Sequence, residues 1–263
     1  MNNQQFQELS PTLKLNIKKA FLSPFSDYGW FWKITLLGVL CTLSLGLNVS
    51  AKIGSKYLLI GFLIGFLVEM IKTGYFIKFI HNEIYDIKPL LPVWKYNILD
   101  FLKKGTKYYI VLISYIILFL ILFALFIAFP VSIFFASSEI VSNIILIFFG
   151  ILYAIFGMIF TQLVMCSYAD NLKYENCYQF KFFLKLILNV KKEIVITLLF
   201  VFVFCTLTLI FSEVIIKSNN LFVLITMNLL TPYFIVIELF TLYNLSAQTY
   251  KIAKYRIYNN SEI

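Results

Sequence analysis

Two oppositely charged side chains interrupt one of the most apolar stretches of the sequence. Glu69 and Lys72 lie three residues apart in GFLIGFLVEMIKTGYFIKF, which runs from Gly61 to Phe79. In a helix, this spacing places a carboxylate and an ammonium group one turn apart on one face. Ionisable groups in membrane-spanning helices often form ion or proton sites. A paired acid and base near the end of a span can instead serve as a contact between helices, so both interpretations stay open.

A second candidate acid lies in the last apolar segment, NLLTPYFIVIELFTLYN. Glu238 has no Lys near it in sequence there, and Pro232 precedes it. The proline removes one backbone hydrogen bond and frees a carbonyl that a neighbour or a cavity must satisfy. Asn228, Thr231 and Glu238 fall on roughly one helical face. One hypothesis is a proton or solute pathway at this face, and the other is packing around a proline kink.

The sequence offers little for metal or enzymatic chemistry. His81 is the single histidine, so a histidine cluster for a metal ion is excluded. Glu83 and Asp86 follow it closely and are candidates to assist it as acid or base. No glycine-rich phosphate loop and no nucleophile motif is present. We therefore predict a non-enzymatic protein that needs no metal ion or cofactor.

The composition indicates which elements hold these residues. Hydrophobic residues make up 61% of the 263 residues and charged residues 13%. Soluble domains are about 45–50% apolar and about 25% charged. Apolar runs of about 20 residues, the length of a membrane-spanning helix, recur along the chain. We predict one all-α, polytopic integral-membrane domain over 1–263, with six transmembrane helices in three helical hairpins near 34–50, 57–77, 108–134, 144–167, 194–212 and 221–247.

The basic residues alternate from one link to the next. Of the 22 Lys and Arg residues, 19 lie before the first span, in or beside the long links near 78–107 and 168–193, or in the tail. Because basic residues favour the cytoplasmic side, both termini and both long links are predicted to be cytoplasmic, in a prokaryotic cytoplasmic membrane. The expected partners are anionic lipid on that side and a membrane-protein partner or a second copy. Nucleic acid is not expected, since no basic domain stands apart.

Three polar segments are predicted to form amphipathic helices on the cytoplasmic membrane surface. In SPTLKLNIKKAF, Ser10 is a candidate N-cap, and every fourth residue from Leu13 to Phe21 is apolar. Similar helices are predicted at 94–107 and 178–192, and the alternative is that these segments are the cytoplasmic ends of long spanning helices. Aromatic side chains beside the spans are predicted to anchor at the headgroup level, namely Trp30, Trp32, Trp94, Tyr108 and Tyr109.

The chain also divides into three repeat-like units, at about 10–80, 88–175 and 176–256. Each unit contains a small residue followed by Tyr, at Gly74-Tyr75, Ser167-Tyr168 and Thr249-Tyr250. Six residues before each Tyr stands a polar residue, and these are Glu69, Gln162 and Asn244. At equivalent depths on equivalent helices, such side chains are expected to form hydrogen bonds between helices.

Three short motifs resemble a known family. They are Pro24-Phe25-Ser26-Asp27, Gly74-Tyr75 with Lys78, and Leu91-Pro92-Val93-Trp94. In these motifs the chain resembles the prokaryotic membrane family called domain of unknown function 4013. The later segments YADNLKYENCYQFKFFLKLI and LSAQTYKIAKY are also similar to it. The resemblance implies a polytopic membrane protein and no particular activity, and Lys88 and Lys95 stand where the family usually has acidic residues.

Two classes of function fit these patterns. The preferred one is a structural or accessory membrane component that binds lipid or a membrane partner through its cytoplasmic amphipathic helices, because the polar positions within the spans are few. The alternative is a permease-like or channel-like transporter of a small solute or ion, with Glu69, Gln162, Glu238 and Asn244 along the path.

Overall fold

The fold is helical throughout the part of the chain that the structure describes. The computed structural model describes residues 14–50, 55–95, 97–134, 138–217 and 221–259, and no strand occurs among them. The prediction of an all-α protein is therefore confirmed.

Long helices alternate with short helical links. A short helix α1 (Ile17–Leu22) and a 3-10 turn (Ser23–Phe25) precede α2 (Trp30–Ser50) and α3 (Ser55–Ile84). After the first long link come α4 (Ile98–Phe123), a π-helical turn (Ala124–Ala128) and α5 (Phe129–Phe134). The remaining elements are α6 (Glu139–Asn171), a 3-10 turn (Tyr174–Tyr178), α7 (Phe180–Asn189), α8 (Lys191–Lys217) and α9 (Leu221–Asn259).

Four stretches of helix are long and apolar enough to cross a membrane, judged by length and composition over the described residues. They are Ile98–Ile133, Ile140–Asn171, Lys191–Ile210 and Leu230–Asn259. Protein covers little of the first three, since only 6–17% of the residues in their most apolar windows are buried. Long helices with such uncovered apolar surfaces are compatible with a membrane location.

The packed core lies at the end of the helices that adjoins the long links. The second half of α9 runs through its centre and is buried on nearly all sides, from Phe240 to Ala253. It contacts α1, α2, α3, α6, α7 and α8. A helix that neighbours surround in this way can be apolar or internally hydrogen-bonded over its whole circumference. The opposite ends of the long helices carry exposed Leu, Ile and Phe side chains instead.

The three segments predicted as surface helices differ in structure. Residues 98–107 continue into α4 without a break, which is the alternative of a long helix end. Within 178–192, α7 forms a separate helix of 10 residues. The helix α1 begins at Asn16, whose side chain accepts a hydrogen bond from the Lys19 amide. The predicted N-cap Ser10 lies outside the described residues.

The backbones of α3 and α4 approach each other closely at two glycines. A Cβ atom added to Gly74 would lie 1.8 Å from the Phe101 carbonyl oxygen. One added to Gly105 would lie 1.8 Å from the Met70 carbonyl oxygen. Two glycines therefore let the two backbones touch, as small residues do in close helix pairs. This gives Gly74, the small residue of the first repeat-like unit, a physical role.

Candidate functional site

A partly polar cavity lies between α3, α4, α6 and α9. Its volume is about 300 Å³, at the lower end of the range for small-molecule sites. Apolar and aromatic side chains form about half of its wall. The charged and polar side chains of the wall are Glu69, Lys72, Thr73, Thr161 and Gln162, and the tyrosines of the wall are Tyr108, Tyr109 and Tyr243.

The Glu69–Lys72 pair predicted from the sequence forms one side of this cavity. The Lys72 ammonium donates a hydrogen bond to the Glu69 carboxylate, with 2.6 Å between Nζ and Oε1. The Glu69 side chain is 30% exposed and that of Lys72 is 16% exposed. The pair is thus neither fully enclosed nor free in solvent, and it offers charges of both signs to an occupant of the cavity.

Gln162 shares the cavity with Glu69, whereas Asn244 does not line it. The Gln162 side-chain oxygen accepts a hydrogen bond from the Ser246 hydroxyl at 2.7 Å, which joins α6 to α9. Asn244 is fully buried and accepts from the Gln248 side-chain amide at 2.7 Å. Gln248 in turn accepts from the Asn16 amide. Two of the three repeat-related positions therefore meet at one site, and the third leads toward the N-terminal segment.

Glu238 lies apart from the cavity. Its carboxylate accepts a hydrogen bond from the Thr208 hydroxyl at 3.3 Å, which joins α8 to α9. The neighbouring Leu239, not Glu238, belongs to the cavity wall. The side chain of Asn228 lies outside the described part of the chain. The structure consequently does not gather the predicted polar positions into one continuous path.

The five predicted headgroup anchors divide into two groups. Trp30 and Trp32 are exposed, with 73% of Trp32 uncovered. Tyr108 is buried instead, and its hydroxyl donates to the Thr161 carbonyl at 3.0 Å. Tyr109 belongs to the cavity wall, and Trp94 packs against the core, and both are partly buried. The structure therefore differs from the anchoring prediction at Tyr108, which α4 turns toward α6.

The three family-like motifs meet at one junction. The Asp27 carboxylate accepts hydrogen bonds from the backbone amides of Leu90, at 3.1 Å, and Leu91. The Tyr75 hydroxyl donates to the Pro92 carbonyl at 3.2 Å, and the Tyr75 ring stacks on Trp94 with centroids 4.4 Å apart. The residues that carry the resemblance thus hold the first long link against α2 and α3. Their role at this junction is structural.

Beside this junction, ion pairs that the sequence analysis missed tie distant segments together. Glu83 on α3 accepts from Lys19 on α1 at 2.6 Å. Asp86, in the link after α3, accepts from Lys251 on α9 at 2.7 Å. Burial of the Glu83 side chain, which is only 3% exposed, makes its charged partner necessary. The only sequence signal was the clustering of acids just beyond the apolar segments.

Two further acids form ion pairs of the same kind. Asp170 is buried at the end of α6, and it accepts from Lys254 at 2.7 Å and from the Tyr85 hydroxyl at 2.8 Å. Glu193 at the start of α8 meets Arg256, the one arginine of the sequence, through both guanidinium nitrogens at 2.7 and 3.2 Å. A planar guanidinium group makes such two-point contacts where an ammonium group cannot.

The acids near His81 do not act on it. Glu83 and Asp86 have lysine partners instead, and His81 Nδ1 lies 2.7 Å from the Ala169 carbonyl oxygen, to which it donates. No group of three or more His, Cys, Asp or Glu side chains suited to a metal ion occurs among the described residues. The histidine therefore bridges α3 and α6.

His81 should make the stability of the fold depend on pH. Burial lowers its pKa below the ordinary 6.5, Lys78 and Lys104 add to this, and the Ala169 hydrogen bond opposes it. The unfolded chain then takes up a proton near pH 6.5 that the folded chain resists, so stability is full above pH 6.5 and falls as the pH drops toward the folded pKa. We expect the unfolding temperature in detergent to fall between pH 7.5 and pH 5.5.

The control for this experiment is His81→Gln, which keeps an N–H donor for Ala169 but cannot titrate. Its unfolding temperature should change less over the same pH interval. An identical decrease in the wild type and the variant would show that other groups cause the pH dependence.

Comparison with known proteins gives one match. A family model described as a protein of unknown function (DUF4013) matches residues 57–217, which include the cavity helices α3, α4 and α6. The match leaves out the Pro24–Asp27 motif and the last helix. No curated protein and no solved structure matches the chain. The family model covers more than half of the sequence, and on that ground the chain belongs to the DUF4013 family.

Proposed function

We propose that this chain is a six-span, non-enzymatic membrane protein that serves as a structural or accessory component and engages lipid on its cytoplasmic side. Besides the four apolar stretches, the proposed spans are α2, with 21 residues, and α3, with 30 residues. At about 1.5 Å per residue, each is long enough to cross a hydrocarbon layer of about 30 Å. The six helices then pair as three hairpins.

One observation carries this proposal: every described segment that the lysine pattern assigns to the cytoplasm belongs to one packed cluster. The N-terminal segment reaches the first long link through Lys19–Glu83. The tail reaches the first link through Lys251–Asp86 and the second through Arg256–Glu193. Segments in direct contact must lie on the same side of a membrane. The excess of basic residues in these segments favours the cytoplasmic side and contact with anionic lipid.

Reporter fusions test the arrangement. Alkaline phosphatase, which is active outside the cytoplasm, and green fluorescent protein, which fluoresces inside it, are fused after Asn220 and after Ile263 of the full-length chain. We expect phosphatase activity only at Asn220 and fluorescence only at Ile263, because the last span separates the two points. The same reporter active at both positions would refute the six-span arrangement.

A second experiment tests lipid engagement. The protein is placed in nanodiscs of phosphatidylcholine with or without phosphatidylglycerol. We expect a higher unfolding temperature with the anionic lipid and a smaller difference at high salt, since salt screens exposed lysines. Equal unfolding temperatures in both lipids would argue against engagement of anionic lipid.

The cavity supports a second candidate function, passage of a small solute or ion. Glu69, Lys72 and Gln162 line one cavity. Ionisable side chains within membrane-spanning helices often lie along transport paths. In a cysteine-free background, Gln162→Cys should react with a small charged thiol reagent from both sides of the membrane if a path exists. Reaction from neither side would exclude it.

A further inference from the structure

Toward the packed end of the protein, the helices of the cavity carry buried side chains. Two helical turns beyond Glu69 in that direction lies Phe76, which is 1% exposed. Two turns beyond Gln162 lies Ala169, which is fully buried. Buried side chains therefore lie between the polar part of the cavity and the ion-paired core.

Toward the opposite end of the protein, the cavity helices α3, α4 and α6 carry exposed apolar side chains. Two turns from Glu69 is Phe62, 68% exposed; two turns from Tyr109 is Ile116, 45% exposed; and two turns from Gln162 is Ile155, 40% exposed. These positions share a helical face with the cavity residues because seven residues span two turns. Exposed apolar side chains thus adjoin the polar cavity on the same helical faces, and in a membrane they face hydrocarbon.

The polar cavity followed by exposed apolar side chains suits an amphiphilic molecule. A molecule with its polar head among Glu69, Lys72 and Tyr109 would extend its chain along Phe62 and Ile116. If the packed end faces the cytoplasm, as proposed above, this is the orientation of a phospholipid of the cytoplasmic leaflet. The cavity volume of about 300 Å³ holds the polar head of such a molecule but not its chains.

The charges of the cavity select among headgroups. Lys72 attracts a phosphate, but Glu69 lies only 2.6 Å from it and repels a headgroup with net negative charge. A headgroup that carries both an ammonium and a phosphate group matches both side chains. The polar side chains of Tyr109 and Gln162 add further hydrogen-bonding groups to the wall.

We infer that the cavity between α3, α4, α6 and α9 binds the headgroup of a zwitterionic phospholipid, with ammonium at Glu69, phosphate at Lys72 and acyl chains along the adjoining exposed apolar side chains. This deepens the proposed function, on which it rests for the membrane orientation. It assigns to Glu69 and Lys72 the recognition of a lipid in place of the transport of an ion.

Photolabelling of the full-length protein tests the inference. The probes are phosphatidylethanolamine and phosphatidylglycerol, each with a diazirine in one acyl chain, in otherwise identical proteoliposomes whose bulk lipid is phosphatidylglycerol. We expect the ethanolamine probe to label peptides containing Phe62, Ile116 and Ile155. Equal labelling of these peptides by the glycerol probe would overturn the inference.

The matched variants neutralise one ion pair each. The double variant Glu69→Gln, Lys72→Met should lower labelling by the ethanolamine probe about tenfold, because charge-assisted hydrogen bonds to the headgroup are lost. The control Asp100→Asn, Lys104→Met removes an exposed pair on α4 that is not in the cavity wall and should label as the wild type does. Undiminished labelling of the Glu69/Lys72 variant would overturn the inference.

A milder substitution provides a test of the site if the double variant does not fold. Should the double variant elute as an aggregate, Tyr109→Phe removes one hydroxyl from the wall and should lower labelling about threefold; unchanged labelling would count against the site. Absent labelling together with reaction of Gln162→Cys with an aqueous thiol reagent would replace the lipid by a soluble occupant. If the reporters at Asn220 and Ile263 still lie on opposite sides, only the lipid site fails and the proposed arrangement stands.

Discussion

Gly74→Ala should destabilise the protein more than the same change at Gly38, Gly150 or Gly157. The new Cβ would lie 1.8 Å from the Phe101 carbonyl oxygen, and the atoms in its way belong to backbone that cannot rotate aside. The helices α3 and α4 would have to separate along their whole crossing. We expect a loss of about 3 kcal/mol in the free energy of unfolding, the upper end of the usual cost of overpacking.

Thermal unfolding in detergent measures this effect, with Gly157→Ala as the matched control. Gly157 also lies within a long helix, but a Cβ there would meet nothing within 4 Å. Alanine is the better helix former, so the control should be as stable as the wild type or slightly more so. Similar unfolding temperatures for Gly74→Ala and Gly157→Ala would show that the two helices do not touch at Gly74.

Asp27→Ala should have a comparably large effect through lost polar contacts. The side chain is nearly buried, and its removal leaves the amides of Leu90 and Leu91 without their acceptor. The Lys33 ammonium, 3.8 Å from the carboxylate, would lose its counter-charge as well. Removing one partner of a buried charged contact costs about 3–5 kcal/mol, and we expect a loss in that range.

The control for Asp27 is Asp100→Ala. The Asp100 side chain is 47% exposed and pairs with Lys104 one turn away on the same helix. Such pairs contribute about 0.3–0.5 kcal/mol, so the unfolding temperature should hardly change. In Asp27→Ala, limited proteolysis should also cut the link near Leu90 faster. Equal stability of the two variants would mean that Asp27 does not hold this link.

The positions of the long helices were largely predictable, and their ends were not. Five of the six predicted apolar segments each fall within one long helix, and the segment 108–134 covers the end of α4, the π-helical turn and α5. However, α3 runs on to Ile84 and α9 to Asn259, well past the predicted ends at 77 and 247. The apolar runs of the sequence end where charged residues begin. These helices continue because Glu83, Lys251 and Arg256 form ion pairs in the core.

The candidate site was only partly visible in the sequence. The Glu69–Lys72 pair is local, three residues apart in one helix, and its geometry follows from helical spacing. The approach of Gln162 to the same cavity depends on how α6 packs against α3, and no local pattern reports that. The same limit applies to Tyr108, whose inward direction was set by its contact with Thr161 on another helix.

The sequence by itself determined the helical class, the apolar surfaces and the sorting of lysines between alternate links, since each of these follows from composition and short-range spacing. Only the tertiary structure decided which polar residues meet. Asp27 holds amides more than 60 residues away, and Lys251 meets Asp86 across 165 positions. Such pairings depend on how whole helices cross, and a crossing is decided by many weak contacts at once, above all by the two glycines that let α3 and α4 touch.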